Sequence, residues 1–99
     1  MTLAQLQKMI RDRYYATDSA RGTAGTFMHF AEEFGELATA LYRNSRPNKP
    51  PTREERANLE EEFADVLAWL ATLANINNVD LEACMSKYTE PDRVTGVKD

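Results

Sequence analysis

HFAEEFGELATAL, residues 29–41, and EEEFADVLAWLATLAN, residues 60–75, decide how this chain folds. In the first, Phe30, Phe34, Leu37, Ala38 and Leu41 recur at spacings of three and four; in the second, Phe63, Val66, Leu67, Leu70 and Leu73 do the same. That period belongs to the amphipathic α-helix. Each apolar face is interrupted by two carboxylates three residues apart, Glu33 with Glu36 and Glu62 with Asp65. Three residues turn a helix through about 300°, so the members of each pair stand roughly 60° apart on one surface, at the border of the core. Charge in that position costs free energy unless it is paired or holds a metal. Between the two segments, residues 44–51 contain Pro47, Pro50 and Pro51 and form a connecting loop, and so short a connection favours antiparallel packing. The two pairs can then face each other, a solvated charged face being the other reading of the same spacing. Four unbridged anions at that separation repel by several kcal/mol, a cost that Mg²⁺ or Mn²⁺ removes. The oxygen-only donor set suits such hard cations. Zinc would need Cys or His at suitable spacing, which the lone Cys84 and His29 do not offer, and neither pair has the Glu-x-x-His pattern of a di-iron bundle.

Outward from this pair, Leu3, Leu6, Met9, Ile10 and Tyr14 predict a first helix over about 2–16. Asp18, Ser19, Gly22 and Gly25 predict a loop over 17–25, with the next helix running from Thr26 to about Arg43. Thr52 and Glu55 have the spacing of a capping box, placing the start of the longest helix there and its end near residues 75–78. Asp80 is positioned to cap a last short helix whose inward face is Leu81, Cys84, Met85 and Tyr88, before a tail marked by Pro91 and Gly96. The aromatic set Phe27, Phe30, Phe34 and Phe63 is assigned to the core. The expected architecture is all-α, a four-helix-bundle-like single domain over residues 1–99. So short a chain leaves apolar surface over, and completion as a homodimer or homotetramer is expected.

Composition narrows the function. With 16 acidic and 12 basic residues in 99, the net charge of −4 disfavours a nucleic-acid backbone as partner. A phosphorylated small molecule stays compatible if divalent cations lie between it and the carboxylates. The single Cys84 cannot form an internal disulfide and reads as a small buried hydrophobe. No signal peptide or membrane anchor is expected, and a cytoplasmic protein is.

At its acidic residues the chain resembles the MazG-like family of all-α nucleotide pyrophosphohydrolases, whose signature is Glu-Glu-x-x-Glu on one helix and Glu-x-x-Asp on the next. Glu32, Glu33 and Glu36 supply the first element and Glu62 and Asp65 the second. Asn75, Asn78, Val79, Asp80, Leu81, Glu82 and Lys87 are similar to the family's later Asn, Asp-Leu-Glu and Lys pattern, so the likeness runs from about residue 27 to 88. It implies hydrolysis of a nucleoside triphosphate between its α and β phosphates, with Glu33, Glu36, Glu62 and Asp65 as ligands of Mg²⁺ or Mn²⁺ that neutralise the triphosphate and activate water. Glu32, about 40° from Glu36 around the helix, is a candidate to orient or deprotonate that water. Lys87 is matched to phosphate contact, with Arg93 and Lys49 as weaker candidates. Asn75 is read either as a contact to base or sugar or as a helix cap. His29 shares a stripe with Glu33 and Glu36, and is placed to touch nucleotide or to serve the structure. Trp69, four residues after Asp65, is read as a base-stacking or a packing residue. A non-catalytic helical binding module and a related hydrolase of a phosphoribosyl nucleotide stand as alternatives. The physiological nucleotide is not legible, although nucleotide-pool housekeeping fits the resemblance.

Overall fold

Thr2 and Thr52 begin the two long helices in the same way. Each hydroxyl accepts from the backbone N–H three residues on, at 3.1 Å, and the side chain there, Gln5 or Glu55, accepts from the threonine's own N–H at 2.7 Å and 2.9 Å. Two of the first-turn donors that helices leave open are thereby satisfied. In the computed structural model, which describes residues 1–93 and Gly96, helix α1 spans Leu3–Asn44 and α2 spans Arg53–Ile76. Two single-turn helices follow, α3 (Leu81–Cys84) and α4 (Ser86–Thr89), and then a 3₁₀ turn at Pro91–Arg93. The fold is all-α.

The expected loop over 17–25 is absent. Helix α1 continues through it, broken only at Gly22, whose φ of 80° and ψ of 175° form a conformation that only glycine adopts freely. Asp18 and Ser19, read as turn residues, instead have helical partners: Asp18 Oδ1 accepts from Arg21 Nη2 at 3.0 Å, and the Ser19 hydroxyl donates to the Ala16 carbonyl at 3.3 Å. Arg21 also donates from Nη1 to Thr26 Oγ1 at 3.1 Å, which ties the residues before the break to those after it. Gly25 makes room for this arm, since a Cβ there would lie 2.9 Å from Arg21 Cγ. Helix α1 therefore has two limbs, residues 3–21 and 23–44.

The second limb runs antiparallel to α2. Thr23 meets Asn77, His29 stacks on Trp69, and the Asn44 amide donates to the Glu55 carbonyl at 3.1 Å, so facing residues fall in number along one helix as they rise along the other. The first limb lies against the C-terminal half of α2. There Asn75 Nδ2 donates to the Gln7 carbonyl at 3.1 Å, and the Gln7 side chain accepts from the Leu81 N–H at 3.0 Å and donates to the Val79 carbonyl at 2.6 Å. Asp80 caps α3 as expected, through the Ala83 N–H at 3.0 Å.

Packing departs from expectation at the surface. Among the described residues the buried hydrophobic ones are few, and three of the five are alanines: Ile10, Ala40, Leu59, Ala71 and Ala74. Phe27, Phe34 and Phe63, assigned to the core, are 55, 47 and 55% exposed, because the inward stripe of each helix is shared with polar residues such as Thr26 and Glu62. Cys84, Met85 and Tyr88 are exposed as well, since the single turns α3 and α4 are too short to present one continuous face. Among the described residues no helix is long and apolar enough to cross a membrane.

Candidate metal centre

The antiparallel register brings the two carboxylate pairs together. Glu33, Glu36, Glu62 and Asp65 each offer an oxygen, and these four atoms lie within 4.8 Å of one another. Glu62 is buried and Glu33 half-buried, while Glu36 and Asp65 face solvent, so the cluster has a closed floor and an open mouth. Asn58 Nδ2 donates to Glu62 Oε1 at 3.3 Å and orients that carboxylate from one turn earlier on α2. The remaining oxygens on the floor, Glu33 Oε2 and Glu62 Oε2, are buried without a hydrogen-bond partner. Buried acceptors left open in this way are costly, and each helix contributes one of them.

Electrostatics agree with the geometry. Burial, reinforced by repulsion from Glu36 and Asp65, pushes the Glu33 carboxyl up to about 7. Without a cation the cluster therefore tends to hold a proton. A divalent ion is the natural counterpart: the donors are all oxygen, they converge, and Glu33 and Glu62 each keep one buried oxygen without a hydrogen-bond partner.

The other residues singled out in the sequence fall elsewhere. His29 and Trp69 stack on each other, with ring centroids 5.2 Å apart and planes 12° apart, one turn before Glu33 and one turn after Asp65 respectively. Glu32 is exposed on the flank of its helix, outside the four-carboxylate cluster. Asn75 is 3% exposed and spends its amide on the Gln7 carbonyl, holding the first limb, while the C-cap of α2 is Asn77. Lys87 lies over the Tyr88 ring at 5.4 Å on α4. Arg93 bonds Ser86 and Glu90, and Lys49 is exposed in the connecting loop.

Two features went unread in the sequence. Glu55, read only as the partner of Thr52 in the capping box, also forms a half-buried ion pair with Arg46 at 2.6 Å that closes the connecting loop over the start of α2. The Thr52 N–H and then Arg46 hold its carboxyl below the usual range. Asp18 and Arg21, assigned to a loop, line a pocket of about 210 Å³ between the first limb and α2. Their i,i+3 spacing of opposite charge was the signal available.

Residues 23–90 match the family model of the MazG nucleotide pyrophosphohydrolase domain. No curated protein and no solved structure matches the chain.

Proposed function

The chain belongs to the MazG nucleotide pyrophosphohydrolase domain family, and from that premise we propose that it hydrolyses nucleoside triphosphates to nucleoside monophosphate and pyrophosphate with Mg²⁺. The observation that carries this reading is the convergence of Glu33, Glu36, Glu62 and Asp65 within 4.8 Å, together with the unpartnered buried oxygens of Glu33 and Glu62. Mn²⁺ is an alternative cation of the same chemistry.

The four carboxylates are the proposed ligands. A divalent cation held there would neutralise phosphate charge and lower the pKa of an attacking water. The protein's own part is positional. Glu62, buried and fixed by Asn58, and Glu33, half-buried, set the floor, while Glu36 and Asp65 at the mouth reach the solvent side from which a triphosphate enters. Glu32, exposed beside this mouth, is proposed to orient or deprotonate the water. His29, stacked on Trp69, is proposed to border the nucleotide, and Lys87 to meet phosphate. Asn75 supports these groups by anchoring the first limb. Housekeeping of the nucleotide pool, action in the cytoplasm and assembly as a homodimer or homotetramer complete the proposal; neither a nucleic acid nor a membrane is a proposed partner.

The test is pyrophosphate release from a panel of standard and modified nucleoside triphosphates with Mg²⁺, for the native chain and for Glu36→Gln and Asp65→Asn. Both variants should stay helical and lose activity by about 100-fold or more, the scale of removing a group that stabilises charge in the transition state. Hydrolysis confined to a phosphoribosyl nucleotide would move the protein to a different substrate. Silence on every substrate, with Mn²⁺ as well, would make it a binding module.

A further inference from the structure

The break at Gly22 leaves a pocket of about 210 Å³ between the first limb of α1 and α2. Ile10, Tyr14, Ala68, Trp69 and Thr72 form most of its wall. The volume is below the ~300 Å³ at which pockets for whole drug-sized ligands begin, so it suits one flat ring system rather than an entire nucleotide. It also lies beside the metal centre. Trp69 follows Asp65 by four residues, a rise of about 6 Å along α2, and its ring is the one on which His29 stacks.

The polar edge of the pocket is Asp18 and Arg21. The Asp18 side chain is only 6% exposed. Its Oδ1 accepts from Arg21 at 3.0 Å, but Oδ2 is buried with no hydrogen-bond partner. Arg21 cannot fill that need, because its other terminal nitrogen is committed to Thr26 and its guanidinium lies 5.1 Å from the Trp69 ring centroid. What remains unsatisfied beside an aromatic wall is a single charged acceptor. Its complement is a flat ring bearing an N–H donor.

We propose that this pocket seats the base of the nucleotide, and that Asp18 selects bases presenting an amino group over those presenting a carbonyl at the same place. The proposal rests on reading the neighbouring carboxylates as the phosphate end of the site. A carboxylate accepts from the exocyclic amine of cytosine and repels the carbonyl of uracil, and adenine against hypoxanthine offers the same exchange. A site built around a buried polar group rejects partners that leave it unpaired.

Phosphate-free ligands separate this proposal from the catalytic one. Cytidine against uridine, and adenosine against inosine, are titrated without metal into ¹⁵N-labelled protein while the Trp69 indole and Thr72 amide signals are followed. The amino nucleosides should bind at least about 10-fold more tightly. In Asp18→Asn, Arg21 still requires an oxygen to donate to, so the new amide turns its NH₂ to the open position and the preference should reverse. Ala68→Met, which fills the pocket from its wall, should abolish the shifts while helical circular dichroism is unchanged. Absence of shifts at Trp69 and Thr72, or equal affinity within both pairs, overturns the proposal. Pyrophosphate release from the corresponding triphosphates is measured alongside. Selective binding without release would remove the catalytic reading and leave the pocket standing; release whose base preference is untouched by Asp18→Asn would do the opposite.

Discussion

Glu33 holds its proton longer than an ordinary glutamate because it is partly withdrawn from water and faces three other carboxylates. Its folded value of about 7 stands above the 4.5 of an unperturbed glutamate, so between those values the folded chain binds more protons than the unfolded one. Stability then falls as pH rises through that window and levels off above it. In the metal-free protein the midpoint of thermal unfolding should drop from pH 4.5 to about 7, and Glu33→Gln, neutral throughout, should flatten the slope and raise the midpoint at neutral pH. A slope unchanged in that variant would mean that another group controls it. Cation binding must displace the same proton, so Mg²⁺ affinity measured by calorimetry should climb through pH 7 and then plateau. Stabilisation by Mg²⁺ should be largest where the bare cluster is weakest.

At the scale of elements, Gly22 has the largest consequence for the least side chain. Its backbone conformation lies outside the regions open to other residues, and a forced occupant costs on the order of 1–3 kcal/mol. Gly22→Ala should therefore lower the urea-unfolding free energy by that amount. It meets nothing within 4 Å, so the loss is one of backbone strain alone and should appear without any change in core packing. Thr52→Ala, which removes the cap of α2, should cost about 1 kcal/mol by the same measurement. These two positions also show what was legible. The capping box at Thr52 and Glu55 is a local arrangement of four residues and could be read directly, as could the helical period and the paired carboxylates. The break was misread because Asp18, Ser19, Gly22 and Gly25 carry turn propensity that local structure overrides. Arg21 reaches back to Asp18 and forward to Thr26, and these two bonds keep a helix on either side of a single glycine. Propensity does not encode such bonds. The pocket that they border depends on the resulting angle and so was hidden too, whereas the metal centre depends only on helical spacing and antiparallel packing.

At the scale of the molecule, one copy is extended and leaves apolar surface uncovered. Its radius of gyration is 16.0 Å, against roughly 13 Å for a compact domain of about 100 residues. The apolar surplus is arranged. Phe27, Phe34 and Leu41 each follow an inward residue of the second limb, Thr26, Glu33 or Ala40, and Phe63, Leu67 and Leu70 follow Glu62, Val66 and Trp69 of α2. One residue is a turn of about 100°, and in an antiparallel pair that rotation carries both sets to the same side of the two-helix layer. Glu36 and Asp65 lie about 60° the other way, so the metal centre opens on the opposite side. The six apolar side chains are 37 to 55% exposed and together present on the order of 500 Å² of surface, at the upper end of what a soluble monomer leaves uncovered and over half of one partner's ~800 Å² share of a standard interface. A second copy laid on this face would complete a four-helix layer without covering the carboxylates. Sedimentation equilibrium should thus give a dimer, or a tetramer built from it, and Phe27→Glu with Leu41→Glu should shift the protein to monomer by placing charges where the two copies meet. A native chain that stays monomeric at high micromolar concentration would show that this surface serves some other contact. If the face is the interface, dilution should lower the thermal midpoint, because part of the core that stabilises each copy is supplied by the other.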